Sequence, residues 1–441
     1  MLKKKFLSNL LIFISKYKLL SNLFSIFMIL IVILNNLKIF IKKKTIKGLA
    51  LSHSRFREDI NFLNESPEIS IYRMPISIQY LLLMPFEQYL YKYHYKYFHP
   101  LEELYDVKIS NQKYLSKILD LFFNYFEFIL TASVGYLQDM DLSRAAKKNG
   151  LKHIVLQREN FGIVDKQASD IMKWYKPLEK TSANLIIVHS ESTKLLFQNT
   201  KMATDANIKA LGCLRMDNYI DRLKNKTFKS NHKQKTVTFF SFATNTGCHL
   251  AESPKIDAFE KNRGLINFFK NTHNLIIDFA KKNPEININI KPKWKKNWEE
   301  LILNNWKDFS GESELPNNCK ILALSNPHDL IIASDLVIGF NSTTILEAGL
   351  RDIPIIIPKF DEAIGIYKEY FDFIKYQDAF FIIEDAKKLN DLIYESLFNF
   401  NISKEVKEKR LDLFNRYVSS LDGQTKDRYI EAIKKTIIKK N

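Results

Sequence analysis

The sequence of 441 residues predicts an α/β protein with two parallel-sheet domains behind an N-terminal hydrophobic helical segment. Three observations carry this expectation. Short apolar strands alternate with helical stretches in two successive series, the pattern of parallel sheets closed by helical crossovers. A polar basic stretch, residues 222–235, separates the series as an inter-domain linker does. Ahead of both, Leu19–Leu37 holds no charged residue.

The first segment, residues 1–47, is read as membrane-associating. As a helix, Leu19–Leu37 reaches roughly 28 Å at about 1.5 Å per residue, close to the hydrocarbon thickness of a bilayer. Lys3, Lys4, Lys5, Lys16 and Lys18 precede it, and Lys38, Lys42, Lys43, Lys44 and Lys47 follow. The two sides balance, so they assign no orientation. Ser21, Asn22, Asn35 and Asn36 shorten the apolar core. Three arrangements stay open: a span, a surface helix or helical hairpin held to anionic lipid by lysines, and a hydrophobic helix packed on the body of the protein. No small-residue cleavage site follows, so a secretory signal is not expected.

The first domain is expected over residues 48–225. Tyr89, Tyr91, Tyr93, Tyr95 and Tyr97 alternate with other residues, the spacing of one strand face. Strands are expected at Phe126–Ser133, His153–Leu156, Leu185–Val188 and Ile208–Leu211, with helices at Asp141–Asn149 and from Glu191 to Gln198. The second domain is expected over residues 235–400. Its strands are Thr236–Phe242, Ile286–Ile290, Cys319–Leu322, Leu336–Ile338 and Ile353–Ile357, with helices at Leu265–Lys282 and Pro327–Ala333. Residues 401–441 are read as C-terminal helices.

Net charge is +17 and the pI about 9.4. Such basicity points to an anionic partner. Scattered lysines and the lack of a nucleic-acid module favour lipid and nucleotide over nucleic acid. Cys213, Cys248 and Cys319 are far apart, which leaves neither a metal spacing nor a disulfide framework and fits a reducing, cytoplasmic setting. Cys248 and His249 are adjacent, but neighbours on an extended chain point apart, so no catalytic pair is assigned.

Residues 334–358 are the most informative. A strand ends at Gly339, the polar cluster Asn341-Ser342-Thr343-Thr344 opens a helix carrying Glu347, and a second strand closes the unit. Such a helix start offers N–H groups and hydroxyls to phosphate, and a carboxylate one turn on can take ribose hydroxyls. The same residues also suit an ordinary N-capped helix.

Three segments resemble the GT-B glycosyltransferases of bacterial surface-carbohydrate and capsule biosynthesis. They are Tyr136-Leu-Gln-Asp139 through Arg158-Glu159-Asn160, then Gly212-Cys-Leu-Arg215-Met-Asp217, then Asp335…Asn341-Ser342-Thr343-Thr344…Glu347-Ala348. In the second, Leu214 stands where the family has proline. Teichoic-acid polymerising transferases share much of the layout, and UDP-sugar 2-epimerases share the overall fold. The resemblance implies two Rossmann-like domains facing a cleft, an acceptor-side first half and a nucleotide-donor second half. It implies a metal-independent enzyme without cofactor that takes a nucleotide-sugar as co-substrate.

On that reading Asn341, Ser342, Thr343 and Thr344 meet the phosphates and Glu347 the ribose. Lys291 and Lys293 follow a strand and reach the same phosphates, or stand solvated at its end. Ser241, Thr244 and Asn245 follow the first strand of the second half and suit nucleotide or sugar, with Gly247 allowing close approach. His249 is read as a loop histidine. Arg215 either locks its turn with Asp217 or reaches the leaving phosphate. Transfer needs a base from the first half, for which Asp139, Asp141 and Glu159 are candidates. Asp141 also suits an N-cap, and Glu159 a salt bridge to Arg158. The expected activity is transfer of a sugar to a surface polysaccharide or lipid-linked glycan at the cytoplasmic face of the inner membrane. Alternatives are a CDP-glycerol-type transferase and a non-catalytic scaffold.

Overall fold

The computed structural model describes residues 2–41, 46–93, 99–160, 163–200, 202–225, 234–244, 264–293, 297–365, 367–370 and 378–438. The chain opens with helices α1 (Leu2–Lys16), α2 (Lys18–Asn35) and α3 (Leu37–Phe40). Next come β1 (Ile46–Ala50), α4 (Arg57–Leu63), β2 (Ile69–Arg73), α5 (Ile76–Leu83), α6 (Glu87–Tyr93), α7 (Glu102–Ile118) and α8 (Asp120–Phe123). They are followed by β3 (Phe128–Thr131), α9 (Leu137–Lys148), β4 (Lys152–Leu156), α10 (Asp165–Tyr175), β5 (Leu185–Val188), α11 (Glu191–Gln198), β6 (Ile208–Ala210) and α12 (Met216–Lys224). The second series is β7 (Thr236–Phe240), α13 (Ile266–Lys282), β8 (Asn287–Lys291), α14 (Asn297–Ser310), β9 (Cys319–Ile321), α15 (Pro327–Ala333), β10 (Leu336–Gly339), α16 (Thr343–Ala348), β11 (Ile355–Pro358) and β12 (Phe381–Ile383). Helices α17 (Leu389–Asn399), α18 (Lys404–Tyr417) and α19 (Thr425–Ile438) close the chain.

These elements form two compact units. One holds Met1–Asn160, Met172–Asn218 and Leu421–Asn441, and the other holds Phe161–Ile171 and Tyr219–Ser420. Each contains one six-stranded sheet, in the orders β2-β1-β3-β4-β5-β6 and β12-β11-β10-β7-β8-β9. Among the described residues the strand pairings are parallel. Strands β3, β5, β10 and β11 are buried on both faces, as parallel strands covered by helices must be. Their runs of Ile, Val and Leu follow from that double burial.

In the first unit the chain goes outward from β1 to β2, then returns to lay β3 on the other side of β1. In the second it goes from β7 through β8 to β9, then returns to lay β10 on the other side of β7. Each sheet therefore has one point where successive crossovers diverge, leaving a crevice at the carboxyl ends of the strands.

Several expectations are corrected. Tyr89, Tyr91 and Tyr93 lie on helix α6, not on a strand. Leu90 is buried while Tyr91 is exposed, so helical packing overrides the alternation; Tyr95 and Tyr97 lie outside the described residues. The first sheet begins earlier than expected, with β1 and β2. Arg222 and Lys224 belong to helix α12 rather than to a linker, and 226–233 lie outside the described residues. The C-terminal helices are not a separate segment, because α18 belongs to the second unit and α19 to the first. Tyr429, Ile430 and Ile433 of α19 pack with Ile154, Ile187 and Leu214 over one sheet face. The Tyr429 hydroxyl donates to Gly212 O at 2.6 Å. The N-terminal helices are likewise part of the first unit: Leu11, Met28 and Val32 share a core with Tyr72, Leu115 and Phe122.

Gly48, in β1, faces the ring of Phe128 on β3. A Cβ there would lie 2.2 Å from Phe128 Cζ. Phe128 is fully buried, so the ring has nowhere to retreat. Gly48→Ala is expected to destabilise the first unit by about 1–3 kcal/mol, read from thermal or urea unfolding. An unchanged midpoint would show that the core gives way there.

Candidate functional site

In the second unit, β7 and β10 bound the crevice, with Phe240 and Gly339 paired at its edge. Gly339 is required by packing: an added Cβ would meet Ile345 Cγ1 of α16 at 3.0 Å. Asn341 follows with φ +48°, a left-handed conformation that costs a non-glycine residue energy. Ser342 caps α16, its Oγ accepting from Thr344 N at 3.3 Å and donating to Thr344 Oγ1 at 2.9 Å. Asn341, Ser342, Thr343 and Thr344 are each half-buried. Beneath them Phe340 packs on Phe242 and Phe268, with ring centroids 5.0 and 4.6 Å away. This aromatic floor fixes the turn after β10 against the turn after β7.

Ser241 and Thr244 lie across the crevice in the segment after β7. Ser241 Oγ sits 2.8 Å from His273 Nε2 and accepts from Trp298 Nε1 at 3.0 Å. Its hydroxyl thus anchors the turn to α13 and α14 rather than presenting an idle group to a ligand. Thr244 O accepts from Leu265 N at 2.6 Å, and its side chain is half-buried. Asn245, Gly247, Cys248 and His249 lie outside the described residues.

Two expected donor contacts, Glu347 and Lys291, are corrected. Glu347 is buried and faces inward, with Oε2 3.1 Å from His328 Nε2 and Oε1 accepting from Thr343 Oγ1 at 3.3 Å. His328 stacks on Tyr219, centroids 4.4 Å apart, and the Tyr219 hydroxyl donates to Glu347 O at 3.1 Å. This carboxylate organises the helix behind the polar turn. Lys291 Nζ donates to Pro292 O and Ala323 O at 2.8 and 2.9 Å, which commits the ammonium to loop carbonyls, and burial lowers its pKa. Lys293 is exposed beyond the same strand. Asp335, by contrast, ties the opposite edge, accepting from Thr236 N at 2.9 Å.

In the first unit, β1 and β3 bound the crevice. Ser52, just beyond β1, has φ +44°, the same left-handed strain as Asn341. Its hydroxyl donates to Asp139 Oδ1 at 2.6 Å, and Gln79 Nε2 donates to the same oxygen at 2.6 Å. Gln79 Oε1 also accepts from Ser52 N at 2.9 Å, and Gln138 Nε2 donates to Ser52 Oγ at 3.2 Å. Asp139 Oδ2 is buried without a hydrogen-bond partner. Burial pushes this carboxyl up to about 6, against the lowering pull of Ser52, Gln79 and the Arg55 charge. A small recess lined by Ser133, Tyr136, Asp139, Met140, Arg144 and Thr181 opens beside it. A buried carboxyl with an unspent oxygen and a pKa near neutrality is suited to accepting a proton.

Asp141 has a different place. It is buried inside α9, where Asn111 and Gln112 of α7 donate to it at 2.7 and 3.0 Å. That corrects both its catalytic and its N-cap readings, because α9 begins at Leu137 and Asp141 fastens α9 to α7. Glu159 is exposed just after β4. Arg215 pairs with Asp59 at 3.9 Å instead of with Asp217, which accepts from Lys426 N at 2.8 Å. Burial raises the Asp59 carboxyl, and Arg215 and Arg158 pull it back down. Burial and the same two guanidinium groups hold His189 neutral, with a pKa near 3.

The polar turn after β10 was legible from residue types. Ser52, Gln79, His273, Trp298 and His328 were not, since each comes from a distant segment without a motif of its own.

The fold is that of the GT-B class. A Listeria monocytogenes structure, a candidate UDP-N-acetylglucosamine 2-epimerase, matches with a TM-score of 0.50 at 11% identity, covering 90% of this chain and 98% of that one. A Neisseria meningitidis UDP-GlcNAc 2-epimerase bound to UDP-GlcNAc scores 0.46 at 11% identity, covering 89% and 100%. The wall teichoic acid polymerase TagF scores 0.42 at 13% identity, covering 71% and 73%. No protein-family model matches the chain, and no curated protein does.

Asp139→Asn tests the first-unit crevice. Because the folded carboxyl holds its proton up to about 6, whereas an unfolded Asp titrates near about 4, ionising it costs stability as pH rises between those values. The variant should flatten that loss and should not melt lower than the parent near neutrality, read from thermal unfolding across pH. An unchanged pH dependence in the variant would show that Asp139 is not the group that titrates there.

Proposed function

We propose that this chain is a glycosyltransferase that moves a sugar from a nucleotide-activated donor to a surface polysaccharide or lipid-linked glycan. One observation carries the reading: the strained polar turn Asn341–Thr344 stands at the strand-order reversal of the second sheet, where open parallel sheets bind nucleotides. Half-buried hydroxyls of Ser342, Thr343 and Thr344, with backbone N–H groups, suit a diphosphate. The fold likeness to a candidate UDP-sugar epimerase supports a nucleotide-sugar as the ligand. In the first unit Asp139 offers a carboxylate oxygen for the proton of a hydroxyl. In the transfer itself the acceptor hydroxyl attacks the anomeric carbon, the bond to the nucleoside diphosphate breaks, and the hydroxyl proton passes to a base.

That same likeness favours a second reading, epimerisation of the sugar while it remains on the nucleotide. Product analysis separates the two. Transfer requires an acceptor and releases the nucleoside diphosphate, whereas epimerisation needs no acceptor and leaves an isomeric nucleotide-sugar. Consumption of CDP-glycerol alone would replace sugar transfer by polyol-phosphate transfer.

The paired substitution Ser342→Ala with Thr343→Val is expected to weaken binding of UDP or UDP-GlcNAc about tenfold or more in titration calorimetry. Loss of the cap costs only about 1 kcal/mol of stability, so the variant should stay folded. Unchanged affinity for every nucleotide that the parent binds would leave a non-catalytic scaffold as the better description.

A further inference from the structure

Helix α2 turns an apolar side away from the protein. Its protein-facing side carries Ser21, Ser25, Met28 and Val32, with Asn36 just past its end, all buried. Its opposite side carries Leu19, Leu23, Ile26, Phe27, Leu30 and Leu34, all exposed; Leu19 is 71% exposed and Leu34 69%, while Ser25 and Val32 are 0%. At 3.6 residues per turn the two sets lie on opposite faces of one helix. A helix in water buries its apolar stripe and shows its polar one. This one is apolar on its outer side as well, and on its inner side, beside the core residues Met28 and Val32, polar groups fasten it down. Ser25 Oγ donates to Ile118 O at 3.0 Å, Asn36 Nδ2 donates to Arg73 O at 3.0 Å, and Arg73 N donates to Asn36 Oδ1 at 3.0 Å.

Helix α1 repeats the arrangement, with Phe6, Leu10 and Phe13 exposed, Tyr17 exposed just past its end, and Leu11 and Ser15 buried. Together α1 and α2 form a hairpin whose inner side packs on α7 and α8 and whose outer side is apolar. Lysines stand along it at Lys3, Lys4, Lys5, Lys16, Lys18 and Lys38, and the first acidic residue of the chain is Glu58. Among the described residues α2 is the helix long and apolar enough to cross a bilayer. A helix crossing alone is surrounded by lipid, whereas α2 packs along one side on α7 and α8. The geometry points to a monotopic surface: the α1–α2 hairpin lies in one leaflet of an anionic bilayer, apolar side inward, with lysines at the phosphate level. This inference does not depend on the reaction proposed above.

The test uses the full chain and co-sedimentation with vesicles of phosphatidylcholine alone or with about one third phosphatidylglycerol, at about 0.1 M salt. The parent should bind the anionic vesicles at least tenfold more tightly than the neutral ones. The triple variant Leu23→Glu, Phe27→Glu, Leu30→Glu should lose binding at least tenfold while keeping its circular dichroism and melting temperature. Replacing Lys3, Lys4 and Lys5 by Gln should weaken anionic binding and reduce its salt dependence. Alkaline carbonate should release the parent from membranes, since a span resists it. Failure to bind vesicles, unchanged binding in the triple variant, carbonate resistance, or a stable dimer that occludes Phe27 instead would each overturn the inference.

Discussion

A parallel strand cannot turn back onto its neighbour; it must cross over a sheet face, and the hand of that crossover is fixed by the twist of the strands. The layout of both units follows from this constraint. Each sheet grows one way from its first strand and then starts again on the other side. The crossovers diverge at that point, from the carboxyl ends of the two central strands. Among the described residues the three non-glycine residues with positive φ, Ser52, Asn341 and Asp361, all follow strands at this edge, after β1, β10 and β11. Two of them flank the reversals themselves. Strain of this kind persists only where surrounding structure over-determines the backbone, which is the condition for pre-organised groups.

What over-determines it differs between the units. In the second, aromatic packing of Phe242, Phe268 and Phe340 and the close approach of Ile345 to Gly339 hold the turn from below. The Glu347–His328–Tyr219 assembly holds α16 from behind. In the first, hydrogen bonds replace aromatics: Gln79 engages Ser52 N and Asp139 together, and Ser52 closes the triangle. A rigid apolar floor suits a ligand that brings its own charge. A buried polar triangle suits a group whose protonation is to be tuned.

The contrast explains what the sequence disclosed. Strands buried on both faces announce themselves as short runs of Ile, Val and Leu, so β5 and β10 were readable to within one residue and β11 to within two. The turn after β10 was readable because Asn, Ser and Thr after a glycine have few other uses. Asp139 and Asp141, two residues apart, were not separable: one lines a recess and the other ties α9 to α7, and only tertiary packing distinguishes them. Glu347 and Lys291 had the right chemistry at the right spacing, but partners from α15 and from the loop after β9 had already claimed them. The tyrosine alternation misled because a period of two over a few residues is weak against a helix with a Pro-initiated turn ahead of it and one apolar residue to bury.

The N-terminal hairpin bears on the first crevice through contiguous packing within one unit. Helices α1 and α2 pack on α7, α7 packs on α9, and Asn111 and Gln112 lock that last contact onto Asp141. Asp139 is on the same helix, less than one turn away. The apolar outer side of the hairpin and the buried carboxyl are therefore parts of a single packed unit. If the hairpin is seated in lipid as proposed, this packing sets the height of Asp139 above the membrane, and for the proposed lipid-linked acceptor it confines the search for the reactive hydroxyl to a plane, the same entropic advantage that orientation gives inside a crevice.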